Sequence, residues 1–487
     1  MSRKLIDLVL RMSYTMLQGN LDQEITELVY DSRKAVPGCV FVCMTGAVTD
    51  GHNYLPDVIA RGAAAVIVTR EVNVPRHVTV LRVENSRLAL AELAAAWFGH
   101  PADTLTTIGI TGTKGKTTTT YMMRQMMEHA GLKTGLIGTI EVIIGDKHIP
   151  AVNTTPESYL VQKYFREMLD AGLEYVVMEV SSQALKMDRV SGFTFDYAIF
   201  TNLEEDHIGG AEHPDMADYI RCKSLLFKRC KLGLINADAD YLEQVLAGHT
   251  CETETFGLTE QADLYAKDIR RIQRPGYLGV EYTLGGLESY QVAVDIPGDF
   301  TVYNSLCAIA LCRHLNVPRE AILSALNSVK VKGRLEIVPT GGEYTLMIDY
   351  AHNAMSLEAL LKSIRKYDPR RIICLFGCGG DRSPVRRFEM GEVSSRLADL
   401  TVVTSDNPRT EDPNAIIADI LVGVTRADGA YVTIPDRKEA IAYCMSIGQA
   451  GDVILLAGKG HEDYQEINGV KYPMDERVLI ADILAGK

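Results

Sequence analysis

Residues 105 to 131 restrict the fold more than any other stretch of the chain. Leu105–Thr111 is rich in β-branched and apolar residues, and Gly112-Thr113-Lys114-Gly115 turns the chain. Thr117–His129 then reads as a helix closed by Gly131. The same alternation of apolar run and helical stretch recurs through Tyr175–Val180, Tyr197–Thr201 and Leu232–Asn236. It starts again with Leu346–Tyr350, Ile372–Phe376, Leu400–Thr404 and Asp452–Ala457. Strands that alternate with helices build a mostly parallel sheet, so the fold class is α/β. A chain of 487 residues at roughly 150 per domain predicts about three domains.

The boundaries follow from punctuation. Residues 1–98 hold short strands (Cys39–Met44, Ala64–Val68) and an alanine-rich helix, Ser86–Phe98, before Gly99-His100-Pro101 interrupts. Residues 99–331 carry the first α/β series, an acidic antiparallel portion within 238–300, and helices at Phe300–His314 and Pro318–Ser328. Residues 332–487 carry the second series. Ligands of open α/β sheets gather at the carboxyl ends of the strands, so the turns after these runs are where chemistry is expected.

Charge narrows the choice of ligand. With 63 acidic and 50 basic residues the net charge is −13, which argues against a broad nucleic-acid or anionic-membrane surface. Anionic small molecules remain possible, because a few local cations and backbone N–H groups can hold them. The first ten residues do not read as a signal peptide, since Asp7 and Arg11 bound the apolar run. No uncharged stretch approaches the roughly 18 residues of a membrane span. Ten scattered cysteines include two CxxxC pairs, Cys39/Cys43 and Cys374/Cys378. Each pair could be half a metal site, but the simpler reading is buried free thiols of a reducing compartment, and the expected location is the cytoplasm.

Gly112-Thr113-Lys114-Gly115-Lys116-Thr117-Thr118 lies between a strand and a helix and reads as a phosphate loop. Its glycines let backbone N–H groups face phosphate oxygens, Lys116 reaches the β/γ-phosphates, and Thr117 ligates Mg²⁺. The loop is shortened: Ile110 stands where the strict pattern has glycine. Glu179 ends an apolar run and is either a Mg²⁺ ligand or an exposed strand-end acid. His207, in Asn202-Leu-Glu-Glu-Asp-His207, is on position alone more often structural. Lys223 has nothing in its spacing to separate it from an ordinary exposed lysine. Four polar turns, Asp349–His352, Gly377–Arg382, Ser405–Arg409 and Gly458–Glu462, follow the later strands and together mark a second site.

Taken together these segments resemble the Mur ligases, ATP-dependent amide-forming enzymes of peptidoglycan precursor synthesis. The ordered set is Asp31-Ser32-Arg33, the phosphate loop, Asn153-Thr-Thr-Pro156, Glu179-Val-Ser-Ser182, Asn202/His207, Lys223 with Leu226-Phe227, Asn304, Gly333-Arg334 and the four later turns. Asp406-Asn407-Pro408-Arg409 looks like the turn of the member that adds meso-diaminopimelate to UDP-MurNAc-L-Ala-D-Glu. The resemblance implies an N-terminal domain for the uridine nucleotide, a central ATPase and a C-terminal Rossmann-like domain for the incoming amino acid, in a monomer. It makes Lys223 an N-carboxylated Mg²⁺ ligand beside Thr117, Glu179 and His207. Asn304, Arg334 and Asp349 become ATP contacts, and Lys116, Lys223, His207 and Arg334 the catalytic set. Ser32, Asn153, Thr154, Thr155, Ser181 and Arg189 should face the muramoyl dipeptide. Arg387, Asp406, Asn407, Pro408, Arg409, Gly458 and Glu462 should hold the diamino acid.

The chain departs from the family pattern in places. Lys114 replaces an asparagine, Gln183 and Met187 stand for histidine and glutamine, Asn-Ala-Met follows His352, and Ser383–Arg387 is poor in lysine. The implied chemistry is phosphorylation of the D-Glu γ-carboxylate by ATP, then attack of the amine on the acyl phosphate. The rivals are a paralogue using L-lysine, a folylpolyglutamate-type ligase and a non-catalytic nucleotide-binding regulator.

Overall fold

A computed structural model describes residues 2–46, 49–205, 208–209, 212–274 and 277–486. The chain divides into two compact units, Met1–Phe256 with Ala310–Leu315, and Gly257–Ile309 with Asn316–Lys487.

The first unit opens with a five-stranded sheet in the order Thr15–Gln18, Thr79–Arg82, Ala65–Val68, Val40–Val42, Leu28–Val29. Only the Thr15–Gln18 strand runs antiparallel to its neighbour. Side chains alternate across these strands, so Val40, Val42, Ala65 and Ile67 meet the helix Ser86–Trp97, while Phe41, Val66 and Val68 pack with Leu55 and Val58. Asn85 caps that helix by accepting from the N–H groups of Arg87 and Leu88.

Eight further strands of this unit form a second sheet, ordered Lys147–Pro150, Glu141–Ile144, Thr134–Ile137, Tyr175–Glu179, Thr106–Thr111, Phe195–Phe200, Cys230–Asn236, Glu252–Gly257. From Thr134–Ile137 onward the pairing is parallel. Ile108 and Ile110 are fully buried, and this is why the strands read as continuous apolar runs. The helix Lys116–His129 lays Met122, Met123, Met126 and Met127 into the core. The antiparallel strands between 141 and 150, absent from the sequence reading, turn back at Gly145.

The second unit contains the antiparallel strands Leu264–Arg274, Tyr277–Gly286 and Tyr290–Val294 and the helix Arg319–Leu326. Its main sheet runs Glu336–Val338, Thr345–Asp349, Asp452–Ala457, Arg371–Phe376, Leu400–Val403, Tyr431–Thr433, parallel except for the first strand. The last long strand therefore inserts between the two earliest parallel ones. That order brings the turns after 349, 376 and 457 to one edge. A hairpin, Tyr464–Ile467 with Val470–Pro473, follows; it was not foreseen.

All ten cysteines are buried thiols. Among the described residues no helix is long and apolar enough to cross a membrane.

Candidate active site

Parallel pairing places the ends of three strands, at Thr111, Glu179 and Phe200, side by side. The loop 112–115 leaves the middle one. Gly112 is obligatory there, because a Cβ would overlap the Thr201 hydroxyl. Asn202 holds the loop from below: its Oδ1 accepts from Lys114 N at 2.8 Å and its Nδ2 donates to Lys114 O at 3.1 Å. Lys114, where the family pattern has asparagine, forms an ion pair with Glu204 at 2.5 Å. Gly115 adopts φ 84° and starts the helix, whose first N–H groups carry the positive end of its dipole. Lys116 folds over the loop, donating to the carbonyls of Gly112 (2.8 Å) and Thr113 (3.0 Å). Thr118 is half-buried on the first helical turn.

Glu179 is wholly buried. Its Oε2 accepts from Thr117 Oγ1 at 3.0 Å and Thr139 Oγ1 at 2.9 Å, and Oε1 accepts from Thr139 N at 2.9 Å. The exposed-acid alternative is thereby excluded. Lys223, at the end of the helix Met216–Ser224, is 1% exposed; its Nζ donates to Gly112 O at 2.9 Å and lies 4.5 Å over the Tyr219 ring. The ordinary exposed lysine is excluded too. His207 lies outside the described residues.

The residues expected to face the dipeptide gather around the same acid. Thr155 Oγ1 donates to Glu179 O at 2.8 Å and accepts from Ser181 N at 3.0 Å. Thr154 meets Thr139 at 3.1 Å, and Arg189 donates to Thr155 O at 3.2 Å. Asn153 is exposed beside them in sequence. Ser32 begins a 3₁₀ turn capped by Asp31 and makes no side-chain hydrogen bond among the described residues.

In the second unit, Asn304 is 3% exposed with its Nδ2 unpartnered. Arg334 stacks over the Tyr350 ring at 4.7 Å, and its buried Nε also lacks a partner. Asp349 accepts from Leu335 N and Ala351 N, both at 2.8 Å, and burial raises its pKa. His461, 4.8 Å from Tyr350, is pushed down to about 4 by burial and by Arg334, Lys332 and Arg477, so it is neutral near pH 7.

A cavity of about 160 Å³ opens at the sheet edge of this unit, lined by Asp406, Asn407, Arg409, Glu462, Arg382 and Arg386 among others. Arg437 braces its floor, donating to the carbonyls of Ser405 and Ala457 (both 3.1 Å) while paired to Glu476 at 2.7 Å. Gly458, at φ 104°, brings its backbone against Asp406. Pro408 O lies so close to Gly380 that a Cβ there would collide with it. Arg409 sits in the left-handed region at φ 51°; its guanidinium donates to Gly380 O at 2.6 Å and Glu466 at 3.3 Å.

Arg387 is 3% exposed and tied to Glu411 (2.7 Å) and Asp419 (2.9 Å). Arg382 and Arg386 line the same cavity with no side-chain hydrogen bond or ion pair among the described residues. Sequence reasoning passed over both Arg382 and Lys459. Lys459 is fully buried between Gly458 and Gly460, each at positive φ; that glycine bracket was the available signal.

A parallel α/β sheet with a glycine-rich loop at its carboxyl edge, a buried acid beside the loop and a second α/β unit with a polar edge cavity is the arrangement expected of an ATP-using ligase. Family models match along the chain: "Mur ligase family, catalytic domain" over residues 24–98, "Mur ligase middle domain" over 110–312 and "Mur ligase, glutamate ligase domain" over 333–460. A UDP-N-acetylmuramoyl-L-alanyl-D-glutamate–2,6-diaminopimelate ligase of Caldanaerobacter subterraneus is 41% identical over 484 residues, 99% of each chain. One of the same name from Geobacillus kaustophilus is 42% identical over 479 residues, 95% of this chain and 94% of its own. A solved ligase of that name aligns with TM-score 0.75 and 26% identity, covering 100% of this chain and 99% of its own. Mycobacterium tuberculosis folylpolyglutamate synthase shares the fold at TM-score 0.61 and 18% identity, covering 82% and 95%. The chain belongs to the Mur ligase family.

Proposed function

We propose that this chain is the ligase that joins meso-diaminopimelate to the D-Glu γ-carboxylate of UDP-MurNAc-L-Ala-D-Glu, with ATP as co-substrate, in the cytoplasm. The observation that carries the reading is the second-unit cavity. It presents Arg409, Arg382 and Arg386 together with Asp406 and Glu462, and so suits a small substrate end bearing both a carboxylate and an ammonium. The full-length relatives bear the same activity in their names.

A carboxylate acylates poorly at neutral pH. Its oxygen attacks the γ-phosphorus of ATP, ADP leaves, and the acyl phosphate is formed. The amine of the diamino acid then attacks that carbonyl, a tetrahedral intermediate collapses, and inorganic phosphate departs. The protein's part is to align anionic groups and compensate their charge. The 112–115 loop and Lys116 take the β/γ-phosphates. Thr155, Ser181 and Arg189 hold the dipeptide near Glu179. The orphaned Asn304 Nδ2 and Arg334 Nε are donors that a nucleotide's acceptors would satisfy.

Thr117 and Glu179 fit Mg²⁺, being two buried hard-oxygen donors 3.0 Å apart at the helix start. The ion would supply charge neutralisation on the phosphates. Lys223 as an ammonium cannot ligate a cation; addition of CO₂ to its neutral amine, with loss of a proton, would turn a buried donor into a carboxylate. With ¹³C-bicarbonate, wild-type protein should show a carbamate ¹³C resonance that Lys223→Arg lacks. Identical spectra would remove the assignment.

The test of the function is ADP release with UDP-MurNAc-L-Ala-D-Glu and a panel of amino acids. Diaminopimelate should support turnover and L-lysine far less. Equal use of both, or no turnover with diaminopimelate, would overturn the reading.

A further inference from the structure

Lys459 has no exposed surface, yet four oxygens surround its ammonium. It donates to Tyr464 O at 2.6 Å, Asn407 Oδ1 at 2.7 Å and Glu462 Oε2 at 3.1 Å, with Asp406 Oδ1 at 3.7 Å. Three donors meet three acceptors, so the buried charge is fully satisfied. Asn407 Oδ1 also accepts from Glu466 N at 2.9 Å. With its oxygen committed twice, the amide must turn its Nδ2 to Glu462 Oε2, at 2.9 Å. Glu462 is thus gripped through one oxygen by two donors. Its Oε1 takes no hydrogen bond among the described residues, and Glu462 lines the cavity.

We infer that Lys459 is a specificity-determining positioning residue: it fixes Asn407 and Glu462 so that Glu462 Oε1 is presented, charged, to an ammonium of the incoming amino acid. The inference rests on the reading of this cavity as the amino-acid site. Without the lysine, the carboxylates of Asp406 and Glu462 lose their shared cation, and the Asn407 amide is free to turn over. The substrate's ammonium then loses a placed partner. The phosphate loop in the other unit keeps its chemistry.

Steady-state ADP release with varied diaminopimelate tests this in wild-type enzyme, Lys459→Met, Glu462→Gln and the double variant. Lys459→Met should raise KM for diaminopimelate by about 30-fold or more, the scale of an unpaired buried charge, with kcat and the KM for ATP little changed. The double variant should be clearly less impaired than the product of the two single effects, because both changes act on the same contact to the substrate's ammonium. A near-normal KM, or effects that multiply, would overturn the inference while leaving the ligase activity standing. Wild-type enzyme inert with diaminopimelate would instead overturn the function, and this inference with it. Should Lys459→Met fail to fold, a crystal structure of the wild type with diaminopimelate decides. Glu462 held by Lys459 and facing the substrate's ammonium supports the inference; Glu462 turned away refutes it.

Discussion

Lys116→Ala is expected to lower ATP-dependent ligation by about 10²- to 10³-fold, the cost of removing one preorganised charge from a developing phosphoryl transition state. The side chain lies over the loop, donating to two carbonyls of its own turn rather than packing into the core. Circular dichroism and the thermal midpoint should therefore stay near wild type while ADP release collapses. The loop itself is held by Asn202 and Thr201, which the substitution leaves in place. A variant with near-normal turnover would show that the 112–118 segment does not serve the phosphates.

The second large effect is expected at Arg409. Diaminopimelate and L-lysine share a carbon chain and differ by one distal carboxylate, which a guanidinium fork can hold through two charge-assisted hydrogen bonds. With lysine bound, Arg409 would meet a like charge instead. An unmatched member of such a pair costs roughly 2–5 kcal/mol, about 30- to several-thousand-fold in selectivity. The acids nearest in sequence do not occupy it: Glu411 pairs with Arg387, and Asp412 caps the helix Pro413–Ala427. Glu466 does hold it, at 3.3 Å, so Arg409 is oriented before substrate arrives. Arg409→Ala should therefore cripple use of diaminopimelate and change the poor use of lysine little. Arg409→Lys should not restore it, because an ammonium lacks the fork. Competition between the two amino acids in one assay gives the ratio directly. Were wild-type enzyme to use lysine as well as diaminopimelate, Arg382 and Arg386 would be the place to look.

Much of this was legible because buried parallel strands write themselves as apolar runs. Tyr175–Glu179, Arg371–Phe376 and Asp452–Ala457 stand out, and the turn after each is polar. The hairpin Tyr464–Pro473 is different. Its strands are half-buried or exposed along their length, so no apolar run announces them. The signal was Asn468-Gly469, at φ 49° and 77°, a pair that suits a tight hairpin turn. Missing the hairpin meant missing Glu466 and the Tyr464 carbonyl, the partners of Arg409 and Lys459. The different surroundings of Arg387, expected to hold the diamino acid, and of its cavity neighbours Arg382 and Arg386 were not legible for a related reason. What separates them is Asp419, 32 residues beyond Arg387 and one helix away. Long-range pairing of charges leaves no local pattern to read.

The ten buried thiols give the molecule a use as its own probe. Burial pushes Cys43, Cys374, Cys378 and Cys444 up to about 12, so these sulfurs are shielded from solvent and, in the native state, almost wholly protonated. An alkylating reagent meets neither an accessible nor a nucleophilic sulfur until a segment opens. Pulse labelling read peptide by peptide would then chart which segments breathe and which hold, from Cys39 and Cys43 on either side of the strand Val40–Val42 to Cys444 on the helix Arg437–Ile447. No engineered label is required.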